Sequence, residues 1–313
     1  MIRKKAGGLF MFRVRRQIGC VDDGPQWRPE KICTVAVLDT GVAGHPDLAG
    51  RILDFRDFVN SKSMIYDDSG HGTHVCGIAC GSGKLSAGRY RGISPLSNLI
   101  VGKVLDREGN GTVEAMIEGI KWVLDTREKY GVRILNISIG TGQLDDKDRE
   151  AALVGWLETA WDAGLLVVCA AGNGGPQWNT ISSLGASARL ITVGCHDGEY
   201  YRNMPNRCET YSGRGSMLSS VRKPDVVAPG TEIISCDAKC RMGRRGHVHA
   251  YTSKSGTSMA TPIVSGALAL LLQQDPKCRN ELAKKKLLYS ATDMGEAWYK
   301  QGYGMLNVKK LLG

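Results

Sequence analysis

No part of this sequence has the pattern of a membrane segment or of a cysteine-rich metal site. Its apolar runs are shorter than a membrane-spanning helix, and the apolar stretch at 9–12 is too short for a signal peptide and leads into arginines. None of the ten cysteines belongs to a Cys-x-x-Cys pair, and Cys33 and Cys169 lie inside apolar runs, where an unpaired cysteine behaves as a small hydrophobic residue. This pattern predicts unpaired cysteines and a cytoplasmic protein without a membrane partner.

Low-complexity segments and internal repeats are also absent. The chain has 42% hydrophobic and 23% charged residues, which is the composition of a globular protein with a large core. Its net charge of +10 comes from scattered lysine and arginine clusters, without the interleaved aromatic residues of a nucleic-acid surface. We therefore predict a solvated basic surface and no nucleic-acid partner, while both a monomer and a dimer agree with the pattern.

Short apolar runs alternate with helical patterns from about residue 31 onward. The predicted strands are at 32–38, 99–105, 133–139, 165–171 and 190–193, and the predicted helices are at 113–129 and 146–163. Continuous apolar strands separated by helices are typical of a parallel sheet covered on both faces. We predict an α/β fold over 31–313, with a doubly wound, mainly parallel sheet and helices on both faces, preceded by a basic extension at 1–30.

Polar residues follow two of the predicted strands, at the sheet edge where sites form in such folds. Asp39 closes the first strand before Thr-Gly, and taken alone it is typical of a turn. Asn173 follows the run at 165–171 on a glycine-rich turn. Its amide is either part of the turn or a donor to an oxyanion.

Ser258 precedes the apolar helical run at 263–272. Three interpretations are open for it: a helix cap, part of an anion site, or a nucleophile. The free N–H groups and the positive dipole end of a helix start favour negative charge beside the hydroxyl. Pro262 falls near the first turn, where it removes at most one intrahelical bond.

His71 lies among small residues in the run Ser-Gly-His-Gly-Thr-His at 69–74, just before a short helical pattern. It is either a buried core histidine or a catalytic base. Together with His74, Cys76 and Cys80 it also allows a metal site. The apolar neighbours favour core positions for those three residues.

Together, these residues supply every group that acyl transfer requires: a hydroxyl nucleophile, a histidine base, an acid that orients the base, and an oxyanion donor. The order Asp, His, Ser along the chain is that of subtilisin and differs from chymotrypsin and the α/β-hydrolases. The surrounding blocks resemble those of the subtilase (subtilisin-like) serine protease family. They are Val-Leu-Asp-Thr-Gly at 37–41, His-Gly-Thr-His-Val-Cys-Gly at 71–77, Ala-Gly-Asn at 171–173, Gly-Thr-Ser-Met-Ala-Thr-Pro at 256–262 and Gly-Tyr-Gly-Met-Leu-Asn at 302–307.

The resemblance implies a subtilisin-like peptidase domain at 31–313 that hydrolyses polypeptides through an acyl-enzyme, without a cofactor for the chemistry. Ser258 would attack the peptide carbonyl, His71 would accept its proton and pass it to the leaving amine, and Asp39 would orient the imidazole. The Asn173 side chain and the Ser258 backbone N–H would bind the oxyanion.

The family also binds its substrate as an extra strand between two chain segments. The resemblance implies that these segments include Gly109, Asn110, Gly111, Ser138, Ile139, Gly140, Ala171 and Gly172. No charged residue stands in the windows expected to line the pocket for the residue before the cut, which are 138–140, 170–175 and about 180–185. A large uncharged side chain and a broad specificity are therefore expected.

Two further expectations follow from the resemblance. Only 38 residues precede Asp39, and this organisation is more similar to the intracellular branch of the family than to secreted members with a folding pro-domain. Residues 1–20 are then expected to lie across the active site as a short inhibitory propeptide, removed by self-cleavage within roughly 15–25. Asp47 matches a calcium position of many relatives, but the loop at 81–88 lacks an obvious set of oxygen ligands, so we expect weak calcium binding there or none.

Two other functions remain to be compared with a protease. A catalytically silent relative that binds peptides would usually lack one of the three catalytic residues, and all three are present. An esterase would carry Gly-x-Ser-x-Gly with the order Ser, Asp, His, and the run at 256–260 ends in Ala rather than Gly.

Overall fold

A seven-stranded sheet forms the centre of the molecule in a computed structural model, which describes residues 11–20, 31–139, 146–198, 207–244 and 246–313. The strands lie in the order β2-β3-β1-β4-β5-β6-β7, and each neighbouring pair is parallel. Their bounds are β1 Thr34–Asp39, β2 Ile52–Asp57, β3 Asn98–Lys103, β4 Val132–Ile137, β5 Leu166–Ala170, β6 Ile191–Cys195 and β7 Val226–Ala228.

Helices cover this sheet, and the predicted doubly wound, mainly parallel α/β fold is confirmed. The pair α2 and α5 packs together and against the sheet, and so does the pair α3 and α4. Helix α5 is apolar around almost its whole circumference because it lies between α2 and strands β4 to β7. The helix bounds are α1 Met11–Gln17, α2 His71–Cys80, α3 Val113–Tyr130, α4 Lys147–Asp162, α5 Thr257–Gln274, α6 Asn280–Ser290, α7 Trp298–Gln301 and α8 Val308–Leu312.

The two predicted helices are capped by neighbouring residues in the structure. Thr112 begins α3 by accepting a hydrogen bond from the Ala115 N–H at 3.1 Å, and Gly131 ends it with a φ of 63°. Asp146 begins α4 in the same way, by accepting from the N–H groups of residues 148 and 149. These caps satisfy backbone groups that the helix ends would otherwise leave unpaired.

Strand β1 lies between β3 and β4. After β1 the chain first builds the strands on one side of it, β2 and β3, and then crosses over to build β4 to β7 on the other side. All six residues of β1 are buried, and it pairs in register with β3 from Thr34 with Asn98 to Asp39 with Lys103. In a parallel sheet a crevice forms outside the carboxyl ends of the strands at such a position. The fold thus places Asp39 at the floor of a crevice.

Two small antiparallel ribbons, which the sequence analysis did not predict, precede α5. Strand β8, Ile233–Cys236, pairs with β11, Tyr251–Lys254, and strand β9, Arg241–Gly243, pairs with β10, Gly246–Val248. The chain passes from β11 into α5 within two residues.

The N-terminal helix packs against the body of the protein. Met11, Val14 and Ile18 are buried, and Arg15 Nη1 donates to the Gly92 carbonyl at 2.7 Å. The Val308 N–H donates to the Ile18 carbonyl at 2.7 Å. Residues 1–10 and 21–30 lie outside the described residues, so the prediction that 1–20 blocks the active site stays a prediction.

One pair of cysteines departs from the predicted pattern of unpaired thiols. Cys195 and Cys208 form a disulfide, with their Cα atoms 5.6 Å apart. The two residues belong to the end of β6 and to a short 3₁₀ turn, and this proximity arises only from the fold. No other disulfide forms among the described residues.

Candidate active site

Asp39 and His71 form the centre of the candidate site. Asp39 is fully buried, and its Oδ1 accepts a hydrogen bond from Nδ1 of His71, the first residue of α2, at 2.7 Å. The Thr40 N–H donates to the same Oδ1 at 2.7 Å, while Oδ2 has no partner among the described residues. A proton on Nδ1 leaves Nε2 of His71 as an acceptor, which is the tautomer that a general base requires.

The surroundings of His71 raise its pKa above the ordinary value. Burial lowers the pKa of this imidazole, but the negative charge of Asp39 and the hydrogen bond to it have the larger combined effect. Lys254 opposes that effect weakly. Asp39 therefore stabilises the protonated imidazole, which is the state that His71 must reach when it accepts a proton.

Asp67, which the sequence analysis did not identify, fixes the start of α2 against the end of β1. Its Oδ1 accepts from the Gly70 N–H at 2.7 Å and from Thr40 Oγ1 at 2.8 Å, and its Oδ2 accepts from the Thr73 N–H at 2.8 Å. Thr40 Oγ1 in turn accepts from the Gly72 N–H at 2.9 Å. An acidic residue a few positions before a helix start is the sequence signal that identifies such a residue.

Lys103 is a second residue that holds the backbone around Asp39 and that the sequence analysis did not identify. Its side chain is fully buried, and its Nζ donates to the carbonyls of Thr40 and Leu105, both at 2.8 Å, and to Asp68 Oδ1 at 2.7 Å. A buried ammonium with three acceptors fixes the backbone just after Asp39. The sequence analysis treated the run at 99–105 as a plain strand and so missed it.

Ser258 is the second residue of α5 and is partly exposed. Gly256 occupies the N-cap position with no side-chain cap, so the interpretation of Ser258 as a helix cap is wrong. Among the described residues its Oγ forms no hydrogen bond, and the bond from a nucleophile to its base often tightens only when substrate binds. The hydroxyl is thus available for chemistry beside the N-terminal N–H groups of the helix.

Asn173 connects the end of β5 to the start of α5. Its Oδ1 accepts hydrogen bonds from both the N–H and the Oγ1 of Thr257, each at 3.1 Å. These two donors assign the oxygen of the amide and turn Nδ2 away from Thr257. A Cβ on Gly256 would lie 3.5 Å from that Nδ2 and 3.8 Å from the Ser258 nitrogen. The Asn173 amide and the Ser258 N–H therefore both lie close to Gly256, at the start of the helix.

Comparison with known proteins decides the family. The profile described as the subtilase family matches residues 30–305. The chain belongs to the subtilase family.

Its relatives are proteases by name. The serine protease AprX of Bacillus subtilis (strain 168) is 43% identical over 272 residues, and the match spans 83% of this chain and 61% of AprX. Subtilisin DY of Bacillus licheniformis is 32% identical over 278 residues, which are 88% of this chain and 89% of that protein. The solved structure of sphericase superposes with a TM-score of 0.80 at 27% identity, covering 94% of this chain and 97% of that one. This subtilase is a serine endopeptidase.

The predicted substrate-binding segments of this subtilase flank Asp39. Gly109, Asn110 and Gly111 form an exposed turn after β3, closed by a hydrogen bond from the Asp106 N–H to the Asn110 carbonyl at 2.7 Å. Ser138 and Ile139 follow β4, on the other side of β1, and Gly140 lies outside the described residues.

The Asn173 turn is anchored by its backbone. Ala171 and Gly172 are buried, and their carbonyls accept hydrogen bonds from the N–H groups of Ser182 at 2.8 Å and Gly213 at 2.7 Å. Gly172 has a φ of 88°, which favours glycine, and a Cβ there would lie 3.3 Å from Ser182 Cβ. This close packing orients Asn173, the next residue along the chain.

The residues around Asp47 do not fit a calcium ion. Asp47 is buried, its Oδ1 accepts from the Leu85 N–H at 3.0 Å, and its Oδ2 accepts from the Tyr251 hydroxyl at 2.6 Å. The His, Cys, Asp and Glu side chains that cluster with it among the described residues are His45 and Cys236, which supply nitrogen and sulfur rather than the oxygen that calcium prefers. Both nitrogens of His45 are also hydrogen bonded, to the Asp47 N–H and to a carbonyl.

The alternative metal site on α2 is not formed. His74 is buried, and its Nε2 lies 3.0 Å from the Ile233 carbonyl and 3.2 Å from the Thr252 carbonyl, so this nitrogen donates rather than ligates. Burial lowers the pKa of His74 to about 3 and raises that of the Cys76 thiol well above its usual range. The interpretation of His74, Cys76 and Cys80 as core residues is thus supported.

Proposed function

We propose that this subtilase cleaves peptide bonds through an acyl-enzyme formed on Ser258, with His71 as the base and Asp39 as the residue that orients it. The observation that carries the proposal is the 2.7 Å hydrogen bond between His71 Nδ1 and the buried Asp39 carboxylate. Ser258 Oγ attacks the carbonyl carbon while His71 Nε2 accepts its proton. The same proton then passes to the leaving amine, and water completes hydrolysis by the reverse sequence.

The oxyanion is stabilised in this proposal by Asn173 Nδ2 and the Ser258 N–H. Their support is the pair of hydrogen bonds that hold the Asn173 amide oxygen on Thr257. Donors that are already oriented lower the barrier without reorganising during the reaction.

The substrate lies, in this proposal, as an extended strand between residues 109–111 and 138–140, with Ala171 and Gly172 beside the residue before the cut. The position of the two segments on either side of β1 supports this arrangement. Recognition would rest mainly on backbone hydrogen bonds, which favours a broad specificity. No finding favours a catalytically silent relative or an esterase.

Labelling with a fluorophosphonate tests the proposed site. Ser258 Oγ attacks phosphorus and fluoride leaves, so the mass rises by one adduct in the wild type and stays unchanged in Ser258→Ala and His71→Ala. The exposed Ser219 supplies the control, since Ser219→Ala should label at the wild-type rate. An adduct that persists in Ser258→Ala would contradict the assignment of the nucleophile.

The N-terminal extension is proposed to keep the enzyme inactive until it is cut. Helix α1 docks on the body through the buried apolar side chains of Met11 and Val14, and the buried Ile18 follows it, so residues 11–20 are anchored to the domain. Because deletion of residues 1–20 also exposes that apolar surface, variants lacking 1–10 and 1–20 should be compared. If neither variant is more active than the full-length protein, inhibition by residues 1–20 is contradicted.

The protein is proposed to act in the cytoplasm on polypeptides, with structural calcium unnecessary for its chemistry. Among the helices of the described residues, none combines the length and apolar character needed to cross a membrane. Cell fractionation with an antibody to the chain tests the location, and activity found only in the medium would contradict it.

A further inference from the structure

The disulfide between Cys195 and Cys208 lies directly behind the proposed oxyanion site. Three residues after Cys208, the Tyr211 carbonyl accepts a hydrogen bond from the Gly175 N–H at 2.9 Å. The Gly213 N–H donates to the Gly172 carbonyl at 2.7 Å. The segment that the disulfide anchors therefore supports the turn that carries Asn173 on both sides of that residue.

The same disulfide also contacts the loop at 230, which is hydrogen bonded to the start of the helix of Ser258. A Cβ on Gly230 would lie 2.3 Å from Cys195 Sγ, so the backbone passes directly over the sulfur. The Gly256 N–H donates to the Gly230 carbonyl at 3.0 Å. Asp197 reinforces the connection, since its Oδ1 accepts from the N–H groups of Gly230 and Thr231, each at 3.0 Å.

A cavity of about 280 Å³ includes Cys195 in its lining, although this residue is only 1% exposed. The lining also carries Arg207, Arg214 and Lys300 together with Glu209 and Glu296. Arg207 pairs with Glu209 at 3.4 Å and Lys300 with Glu296 at 2.9 Å, so Arg214 supplies the excess positive charge. This excess charge favours a small anionic thiol over a neutral one.

We propose that Cys195 and Cys208 form a redox-active modification site, at which small anionic thiols open the disulfide and so reduce peptidase turnover. The inference rests on the proposed catalytic roles of Asn173 and Ser258. A disulfide in a cytoplasmic protein is usually redox-sensing or catalytic rather than structural, which agrees with the proposed location.

The exchange balances with two thiols. Cys195 and Cys208 are 1% and 0% exposed and Gly230 covers the sulfur, so the exchange requires the loop at 230 to move away. A thiolate then attacks Cys195 Sγ and forms a mixed disulfide, while the bond to Cys208 breaks and Cys208 leaves as a thiolate that takes up a proton. A second thiolate then attacks the external sulfur of the mixed disulfide and releases Cys195 as a thiolate. The two electrons gained by the protein come from the two thiols, which leave as their own disulfide.

Opening the disulfide should lower the labelling and turnover rates, because the Asn173 amide and the Ser258 N–H must keep their positions relative to each other. A displacement of about 1 Å in a catalytic group can cost about 10²-fold, and loss of one oxyanion donor costs about 10²–10³-fold. We expect the reduced enzyme to react at least about fivefold more slowly, with those figures as the upper bound.

The test measures redox state and activity on the same full-length samples. The enzyme is equilibrated in buffers of reduced and oxidised glutathione, and the fluorophosphonate labelling rate of Ser258 is recorded. Free thiols are then alkylated in denaturant and located by peptide mass. We expect the labelling rate to fall as Cys195 and Cys208 become alkylated and to recover on reoxidation. The double variant C195A/C208A should label at the rate of the reduced wild-type enzyme, and glutathione should not change that rate. The distant Cys33→Ala should behave as wild type.

Two results would overturn the inference. One is an equal labelling rate in the oxidised and reduced enzyme, which would make the bond structural only. The other is a native disulfide that glutathione does not open. If neither redox form labels at all, the proposed function fails instead, and the peptide masses still report whether the bond exchanges. If the double variant does not fold, the wild-type titration decides alone.

Discussion

Replacing Asp39 by asparagine removes one charge from the centre of the site while keeping its shape. The amide oxygen of the new side chain can still accept from His71 Nδ1 and from the Thr40 N–H, because both bonds reach the same oxygen of Asp39. The amide nitrogen would take the position of Oδ2, which has no partner among the described residues. The variant should therefore fold, while the protonated state of His71 loses its stabilising charge.

The size of the loss follows from that geometry. With Nδ1 and Oδ1 2.7 Å apart, the two charge centres are separated by about 4 Å and interact by about 4 kcal/mol at an effective dielectric constant of about 20. Since about 1.36 kcal/mol is a factor of ten in rate, this is about 10³-fold. A triad of the same kind loses about 10⁴-fold on the equivalent change. We expect kcat to fall by about 10³–10⁴ and KM to change by less than about threefold.

The assay is the steady-state hydrolysis of a chromogenic peptide across a wide pH range. Without the Asp39 charge, burial is the largest remaining influence on the pKa of His71 and lowers it, so the acidic limb of kcat/KM should move to lower pH. The control is Asp125→Asn on the exposed face of α3, which should leave kcat unchanged. A loss below about tenfold in a folded Asp39→Asn protein would refute this account of the pair.

Four other predictions use the same site. Asn173→Ala should lower kcat by about 10²–10³ at nearly constant KM, the figure known for the equivalent loss in subtilisin, and an unchanged kcat would remove Asn173 from the oxyanion site. In the wild type, the acidic limb of kcat/KM should lie above about 6.5, because Asp39 raises the pKa of His71. The raised pKa of His71 also stabilises the folded protein, and this contribution is fully present below about pH 6.5 and is lost as the pH rises through the pKa of His71 in the folded state. His71→Ala should remove this pH dependence from the urea unfolding midpoints. An identical pH dependence in the variant would contradict the prediction. Lys103→Met should destabilise the fold by about 2–4 kcal/mol in urea, because the buried carbonyls of Thr40 and Leu105 lose their donor. Lys121→Met, which removes a half-exposed ion pair, should cost less than about 1 kcal/mol, and equal costs would contradict the role of Lys103.

The buried central strands were predictable because each is a continuous apolar run. The run at 32–38 corresponds to β1 at Thr34–Asp39, and the run at 133–139 corresponds to β4 at Val132–Ile137. Strand β2, Ile52–Asp57, was missed because it lies at the sheet edge and alternates apolar with charged residues. A half-exposed strand of six residues resembles a polar loop when its neighbours are unknown.

The residues around the site were less predictable than the site itself. Asp39 and His71 stand in family blocks, whereas Lys103 appears in the sequence as one polar residue in an apolar run. Its role depends on carbonyls that the fold brings to its ammonium group. The Cys195–Cys208 bond was missed for the same reason, since its position rests on the return of the chain beside β6. Contacts between segments that are distant along the chain leave no local sequence pattern from which they could be predicted.

The order of α2 and α5 along the chain has a consequence for synthesis. Strand β1 and helix α2, with the Asp39–His71 pair, leave the ribosome long before α5 does, and chains begin to fold from the N-terminal side. Until α5 has packed between α2 and the sheet, the nascent chain carries the proposed base without the proposed nucleophile. With these assignments, a growing chain cannot cut itself or its neighbours on the same messenger, and proteolytic competence begins only after α5 has been made.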